Sequence, residues 1–332
     1  MGVLQLAYID VRDLTYSYQV FEKQPGFKGS LNDFFHRNYQ DKIVLDHLSF
    51  SIEKGEKVGL LGPNGAGKST LIKLLTGILY TKQGQITVDH VMPDTKNDAF
   101  LEKIGVVMGQ KSQLNWNLPA RDTFNVLKSI YGIAKADYEA RLNKYVTMFR
   151  VEKVVDIPVR KLSLGERTKL ELISALLHGP ELLILDEPTL GMDIVSQREL
   201  HQLINQVNQI DGVTVLIISH QMNDIQAVAD RVLILLEGTI KFDGSIDELT
   251  RTAALDKPKI IVAGKKEQPI VASENVGIKE NQDTSVIDTY DANSTITLNV
   301  QDIQSVHVQN PSLEDALYAM FGGKDGTDEI SQ

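Results

Sequence analysis

The sequence predicts an α/β protein whose parallel sheet is covered by helices on both faces, and three observations carry that prediction. Short apolar runs, LLIL at 182–185, VTVLII at 213–218 and VLILL at 232–236, have the length and the β-branched or leucine content of buried strands. Helical segments separate them, SQRELHQLINQVNQI at 196–210 and MNDIQAVAD at 222–230. Strands that alternate with helices imply parallel pairing, because each crossover lays a helix on a sheet face. A glycine-rich loop at 62–70 also lies between an apolar strand, VGLLG, and an apolar helix expected over LIKLLTGIL at 71–79.

The rest of the chain fits around this core. At 332 residues there is room for one large domain and a smaller appendage. VRDLTYSY (11–18) reads as a strand, and VLDHLSFSIEKGEKVGLLG (44–62) as two β-runs around a Glu53-Lys54-Gly55-Glu56 turn. Between them, PGFKGSLNDFFHRNYQDK (25–42) spaces Leu31, Phe34, Phe35 and Tyr39 nearly as a helix does. Two readings stand for that insertion, a surface helix packed on its own domain or a lever touching a partner or lipid headgroups. The pattern over 115–180 is mostly helical and predicts a helical subdomain at about 111–180 within a domain spanning 1–250. Beyond it, IIVAG, TSVIDTYD, STITLNV and SVHVQ predict a small β-rich accessory domain over 251–332, ending in a helix PSLEDALYAMFG at 311–322.

Composition removes several classes of function. Apolar residues make up 42%, enough for a sizeable core. The net charge of −10 argues against nucleic acid held by bulk electrostatics. With no cysteine, thiolate metal sites, disulfides and cysteine nucleophiles are all excluded. The start MGVLQLAYID lacks the basic and apolar character of a signal peptide. No apolar run approaches the roughly 20 residues that span a bilayer, so membrane association is expected only through a partner.

The loop Gly62-Pro63-Asn64-Gly65-Ala66-Gly67-Lys68-Ser69-Thr70 fits the pattern G-x-x-x-x-G-K-[ST] in its strand–loop–helix context. A triphosphate is a dense anion, and the site needs converging backbone N–H groups with no side chains in the way. Gly62, Gly65 and Gly67 are expected to permit that approach, and the following helix to aim its positive end at the phosphates. Lys68 supplies a charge for the β and γ oxygens, and Ser69 a hydroxyl for Mg²⁺.

LLILDEP (182–188) reads as a buried strand ending in two carboxylates, at the end where open parallel sheets bind ligands. Asp186 is placed to hold Mg²⁺ through its water shell, and Glu187 to orient or deprotonate the attacking water. LIISH (216–220) repeats the form with His220, either a structural histidine or a sensor of the γ-phosphate.

LSLGERTKLELISALLHGPELLILDEPTLGMD (162–193), taken with GPNGAGKST, resembles the signature-to-D-loop block of ABC ATPases, and the likeness covers about 10–250. The resemblance implies a P-loop NTPase fold, ATP as substrate with Mg²⁺, and a sandwich of two ATPase subunits, identical or closely related. It makes LSLGE (162–166) the signature motif, whose Ser163 and Gly165 meet the γ-phosphate held by the opposite subunit. Gln110 matches the Q-loop glutamine that ligates Mg²⁺ and senses the membrane partner, LGMD (190–193) the D-loop, and His220 the switch histidine. Tyr18 lies where the family stacks an aromatic ring on adenine, with Tyr16 as the rival.

The signature usually reads LSGGQ, and this chain departs at Leu164 and Glu166. A leucine would be strained if the middle position needed a positive φ. The finer resemblance is to bacterial drug-exporter-like ATPases that pair with separate six-helix permeases. ATPases of cell-surface polysaccharide exporters are the runner-up, followed by soluble non-transport ABC ATPases. The resemblance thus implies a cytoplasmic protein, peripheral on the inner face of the cell membrane through a permease.

Overall fold

The computed structural model describes residues 7–21, 39–93, 98–109, 112–252, 259–263, 271–272, 276–280, 284–289, 296–297 and 305–309. Residues 25–38 of the insertion, Gln110 and the helix expected at 311–322 lie outside the described residues. The chain divides into two compact units, Met1–Asp243 and Gly244–Gln332.

In the first unit, β1 (Ile9–Phe21) and β2 (Tyr39–Ile52) pair antiparallel, and β4 (Gln83–Val88) joins the other edge of β1. Residues 39–42, read from sequence as the end of a helix, instead begin β2 and pair with Tyr18–Phe21. Cross-strand pairing has overridden the near-helical spacing there. The turn at Lys54-Gly55 is present, but the strands it joins do not pair with each other. It carries the chain from the antiparallel sheet into β3 (Lys57–Leu61), the heart of a second sheet.

That second sheet comprises β3, β5 (Ile104–Met108), β6 (Leu182–Asp186), β7 (Thr214–Ser219), β8 (Arg231–Leu236) and β9 (Thr239–Ser245), in the order β5-β6-β7-β3-β8-β9. The pairs β5–β6, β6–β7, β7–β3 and β3–β8 are parallel. A two-residue turn at Glu237-Gly238, with φ of 49° and 77°, returns the chain into β9. Leu60, Leu182, Ile184, Leu216, Ile218 and Leu233 of these strands are buried in one core with Leu71, Ile72 and Leu75 of helix α1 (Lys68–Leu75). Helix α1 starts three residues earlier and ends four earlier than sequence periodicity suggested. It stops at Thr76 because Gly77, with φ of 69°, takes up the left-handed turn that follows.

After the short helix α2 (Asp98–Leu101) and β5, the chain runs through α3 (Ala120–Ile130), α4 (Lys135–Phe149) and α5 (Leu164–Leu176) before entering β6. Helix α6 (Ile194–Asp211) connects β6 to β7, and α7 (Met222–Val228) connects β7 to β8. Asp193 caps α6, accepting from the N–H groups of Val195 and Ser196 at 3.0 Å each, and Gly212 closes it at φ 68°.

In the second unit, α8 (Ile246–Thr252) precedes an antiparallel sheet in the order β12-β13-β10-β15. Its strands are β10 (Lys259–Ala263), β12 (Val276–Glu280), β13 (Thr284–Thr289) and β15 (Ser305–Gln309). The short pieces β11 (Val271–Ala272) and β14 (Ile296–Thr297) pair separately.

Just beyond α5, the His178 ring stacks on Tyr131 at 4.2 Å and donates from Nε2 to the Ile104 carbonyl at 3.0 Å. Its Nδ1 has no hydrogen-bond partner among the described residues, and burial pushes the imidazole down to about 4. The unfolded chain therefore binds this proton more tightly than the folded one. The stability this gives is fully present above the ordinary value of 6.5 and is lost as pH falls towards 4. Urea unfolding at pH 7 and at pH 4.5 should show a loss of about 2 kcal/mol from this group, and His178→Phe should flatten that slope.

Candidate active site

Parallel register determines which residues meet. Leu61 of β3 lies opposite Ser219 of β7, Ile218 of β7 opposite Asp186 of β6, and Asp186 opposite Met108 of β5. Four chain segments therefore leave the sheet at one level: the loop 62–70, His220, Glu187 and Gly109. This is the end of a parallel sheet at which ligands are bound.

Within the loop, the glycines serve different ends. A Cβ on Gly62 would stand 2.3 Å from the Leu235 carbonyl, and one on Gly67, at φ 110°, 2.6 Å from the Leu45 side chain. Both are thus required by the protein's own packing, which refines the expectation that all three make room for phosphate. Gly65 alone, at φ 85°, has open space beside it. Pro63, Asn64, Gly65 and Ser69 are exposed, whereas Ala66, Lys68 and Thr70 are buried. Lys68 reaches back to donate from Nζ to the carbonyls of Gly62 (2.5 Å) and Pro63 (3.1 Å). Tyr18 approaches the same loop, its hydroxyl 3.3 Å from that of Thr70 and its ring edge-on to Tyr16 at 5.0 Å. Tyr16 packs against the core.

At the acidic end, Glu187 is held in a left-handed backbone conformation, φ 50°, which is uncommon outside glycine and clusters at functional sites. Its N–H donates to the Ile218 carbonyl at 2.8 Å. Its carboxylate accepts from the His220 N–H at 3.0 Å and from His220 Nδ1 at 2.8 Å. Gly109 donates its N–H to the Asp186 carbonyl at 2.8 Å, and a Cβ there would lie 2.3 Å from the Glu187 carbonyl.

The charges at this end are poorly compensated by one another. Burial pulls the Lys68 ammonium below its usual range, although Glu187 and Asp186 oppose that shift. Burial and the neighbouring Glu187 push the Asp186 carboxyl above its usual range, with Lys68 opposing. An anion at Lys68 and a divalent cation at Asp186 and the exposed Ser69 would each relieve one of these shifts. The donor set therefore fits a metal-bound polyphosphate.

Ser163 and Gly165 are placed elsewhere, at the start of α5 and against the start of α6. The Ser163 hydroxyl accepts from Glu166 N at 3.3 Å, and the Glu166 carboxylate accepts from Ser163 N at 2.9 Å. Glu166, one of the two departures in this motif, thus completes a capping box. Gly165 packs closely on the start of α6, where an added Cβ would lie 2.9 Å from the Ser196 hydroxyl and would have to displace it. Leu164, the other departure, opens the helix with ordinary backbone angles and is not among the positive-φ residues, so it carries no strain. Its side chain borders Gly191, where an added Cβ would be 3.4 Å from Leu164 Cδ2.

A phosphate loop, an adjacent acidic strand end and a histidine on the strand between them define a P-loop ATPase on a parallel sheet. The family described as ABC transporter matches residues 45–190. Bacillus subtilis NatA, an ABC transporter ATP-binding protein, is 32% identical over 64% of this chain and 88% of its own length. The linearmycin resistance ATP-binding protein LnrL of the same organism is 32% identical over 70% of this chain and 75% of its own. The Nod factor export ATP-binding protein I of Sinorhizobium fredii is 35% identical over 61% and 58%. Among solved structures, an ATP-binding subunit of an ABC transporter superposes with a TM-score of 0.61 at 26% identity, covering 74% of this chain and 93% of its own. The chain belongs to the ABC transporter ATP-binding proteins and is an ATPase that takes ATP as its substrate.

Sequence reading missed four participants. Gly109, Ser219, Asp224 and His201 line or support the site: Gly109 and Ser219 only neighbour the motif residues Gln110 and His220, and Asp224 and His201 fall in no nucleotide motif. Asp224 alone had a signal, since it shares the buried stripe of α7 with Ile225 and Val228.

Gly109→Ala tests the packing of this end directly. The added methyl must displace Glu187, so ATP turnover should fall by about tenfold or more. ATP affinity, measured by calorimetry, should stay within a few-fold because the loop 62–70 is untouched.

Proposed function

We propose that this ATPase powers export through a separate transmembrane permease, working as one half of a two-subunit sandwich at the inner face of the membrane. The observation that carries the reading is the common level at which the loop 62–70, Glu187 and His220 leave the sheet beside Asp186. Among the described residues no helix is long and apolar enough to cross a membrane, which supports a separate membrane-spanning partner. The export, resistance and lantibiotic-transport names of its relatives support the direction.

In this reading Lys68 and the loop N–H groups hold the β and γ phosphates, and Tyr18 stacks on adenine. Ser69, Gln110 and Asp186 hold Mg²⁺, which when bound neutralises charge on the β and γ oxygens. Glu187 orients a water and takes its proton as the water oxygen bonds to the γ-phosphorus. The bond to the β-phosphate oxygen breaks, leaving its electron pair on ADP. His220 holds the Glu187 carboxylate in place and, when the γ-phosphate is present, contacts it. Ser163 and Gly165 of a second subunit, identical or closely related, close over the same phosphate with the positive end of α5 behind them. ATP therefore favours the closed pair and its cleavage releases it, a population shift that the Gln110 segment relays to the permease.

Glu187→Gln should bind ATP with near-normal affinity, lose hydrolysis by about a thousandfold or more, and accumulate as closed dimers on size-exclusion chromatography with ATP. Normal turnover in that variant contradicts the role given to Glu187. Lys68→Ala should instead lose nucleotide binding itself, as read by equilibrium titration. Purification of the tagged chain from detergent-solubilised membranes should bring down a polytopic membrane protein, and recovery of soluble partners alone contradicts the transport reading.

A further inference from the structure

Behind Glu187 lies a buried polar group centred on Asp224, which belongs to none of the nucleotide motifs. Asp224 of α7 and Thr189, three residues past Asp186, are each 1% exposed, His201 of α6 is 7% exposed, and Ser219 is fully enclosed. Asp224 Oδ2 accepts from the Thr189 hydroxyl at 2.5 Å and from the Ser219 hydroxyl at 2.8 Å. Its Oδ1 accepts from His201 Nε2 at 2.8 Å. Burial alone would raise this carboxyl, yet the three hydrogen bonds outweigh it and hold it below its usual range. The carboxylate is therefore satisfied in a place where an unpaired charge would be costly.

Ser219 connects this group to the site. Its oxygen lies 2.8 Å from Asp224 Oδ2 and 3.3 Å from Glu187 Oε2, and it accepts from the Gln221 N–H at 2.9 Å. A hydroxyl has one proton to give, and two carboxylates compete for it. The shorter contact assigns it to Asp224. Glu187 is then left to the two donors of His220, both of which belong to the chain segment facing the nucleotide. The same Asp224 oxygen also fixes Thr189, which leads directly into Leu190-Gly191-Met192-Asp193.

We propose that Asp224, held by His201, is a positioning residue for ATP hydrolysis. By holding the Ser219 and Thr189 hydroxyls on one carboxylate oxygen, it ties the end of β7, which leads into His220, to the segment entering 190–193. The inference rests on the role given to Glu187 above. Its test separates the two ideas. Steady-state ATPase kinetics on full-length Asp224→Asn should show kcat reduced by about tenfold with KM for ATP changed less than about twofold. If Asp224 acts through Ser219, the double variant Asp224→Asn/Ser219→Ala should fall no further than the worse single one, because coupled residues are not additive. His201→Leu should also lower kcat, and His201→Gln, which keeps a donor for Asp224, should restore most of it. Should Asp224→Asn fail to fold, Ser219→Ala and the His201 pair decide the matter alone. Unchanged kcat in Ser219→Ala, multiplied losses in the double variant, or equal loss in both His201 variants would overturn the proposal. Glu187→Gln run alongside shows which idea has failed, because its normal turnover would count against the base assignment and its stalled turnover would isolate any failure to Asp224.

Discussion

Parallel pairing of β5, β6, β7 and β3 sets Met108 opposite Asp186, Ile218 opposite Asp186 and Leu61 opposite Ser219. A slip of one residue in any of these pairs would turn every side chain of that strand to the other face of the sheet. Register is therefore fixed by the buried leucines and isoleucines on both faces, long before any ligand arrives. The hydrophobic core and the active site are in this sense one construction. The chemistry begins one residue after the core ends.

What gathers at that level is not a self-contented cluster. Lys68 turns back on its own loop carbonyls, its ammonium and the Asp186 carboxyl are both shifted against their charged forms, and Glu187 occupies a left-handed backbone conformation. The two charge shifts are unfavourable in the free chain and would be relieved by a phosphate at Lys68 and a cation at Asp186, which is how binding energy becomes specific for a metal-bound polyphosphate. The nearby carboxylate of Asp224 shows the contrast. More deeply buried, it is fully hydrogen-bonded and has nothing left to offer a ligand.

Much of this arrangement was legible in the sequence. The strands ending at Asp186 and His220 and the loop at 62–70 announce themselves because apolar runs, glycines and charges change abruptly within a few residues. Strand order was not legible, since β3 sits between β7 and β8, more than 150 residues away in the chain, and no local pattern records that. Residues 39–42 misled for the complementary reason, as their spacing suited a helix while their partners in β1 lay elsewhere. Leu164 and Glu166 stood out as departures from the usual signature, with strain expected at Leu164 only if that position needed a positive φ. The structure makes one an ordinary first residue of α5 and the other half of a capping box. Gly109 and Asp224 gave little notice because their importance lies in what they abut, the Glu187 carbonyl and the Ser219 hydroxyl.

The account stands on the claim that polyphosphate charge, more than the nucleoside, is what this aligned strand end recognises. The most direct measurement is the thermal unfolding midpoint of the wild-type chain with saturating Mg·ATP, compared with AMP and Mg²⁺ at the same concentrations. A ligand that binds only the folded state raises the midpoint in proportion to its affinity. The account predicts a clear rise with Mg·ATP and almost none with AMP. Equal rises with the two ligands would contradict it, since recognition would then rest on the base and sugar and not on the phosphates at Lys68.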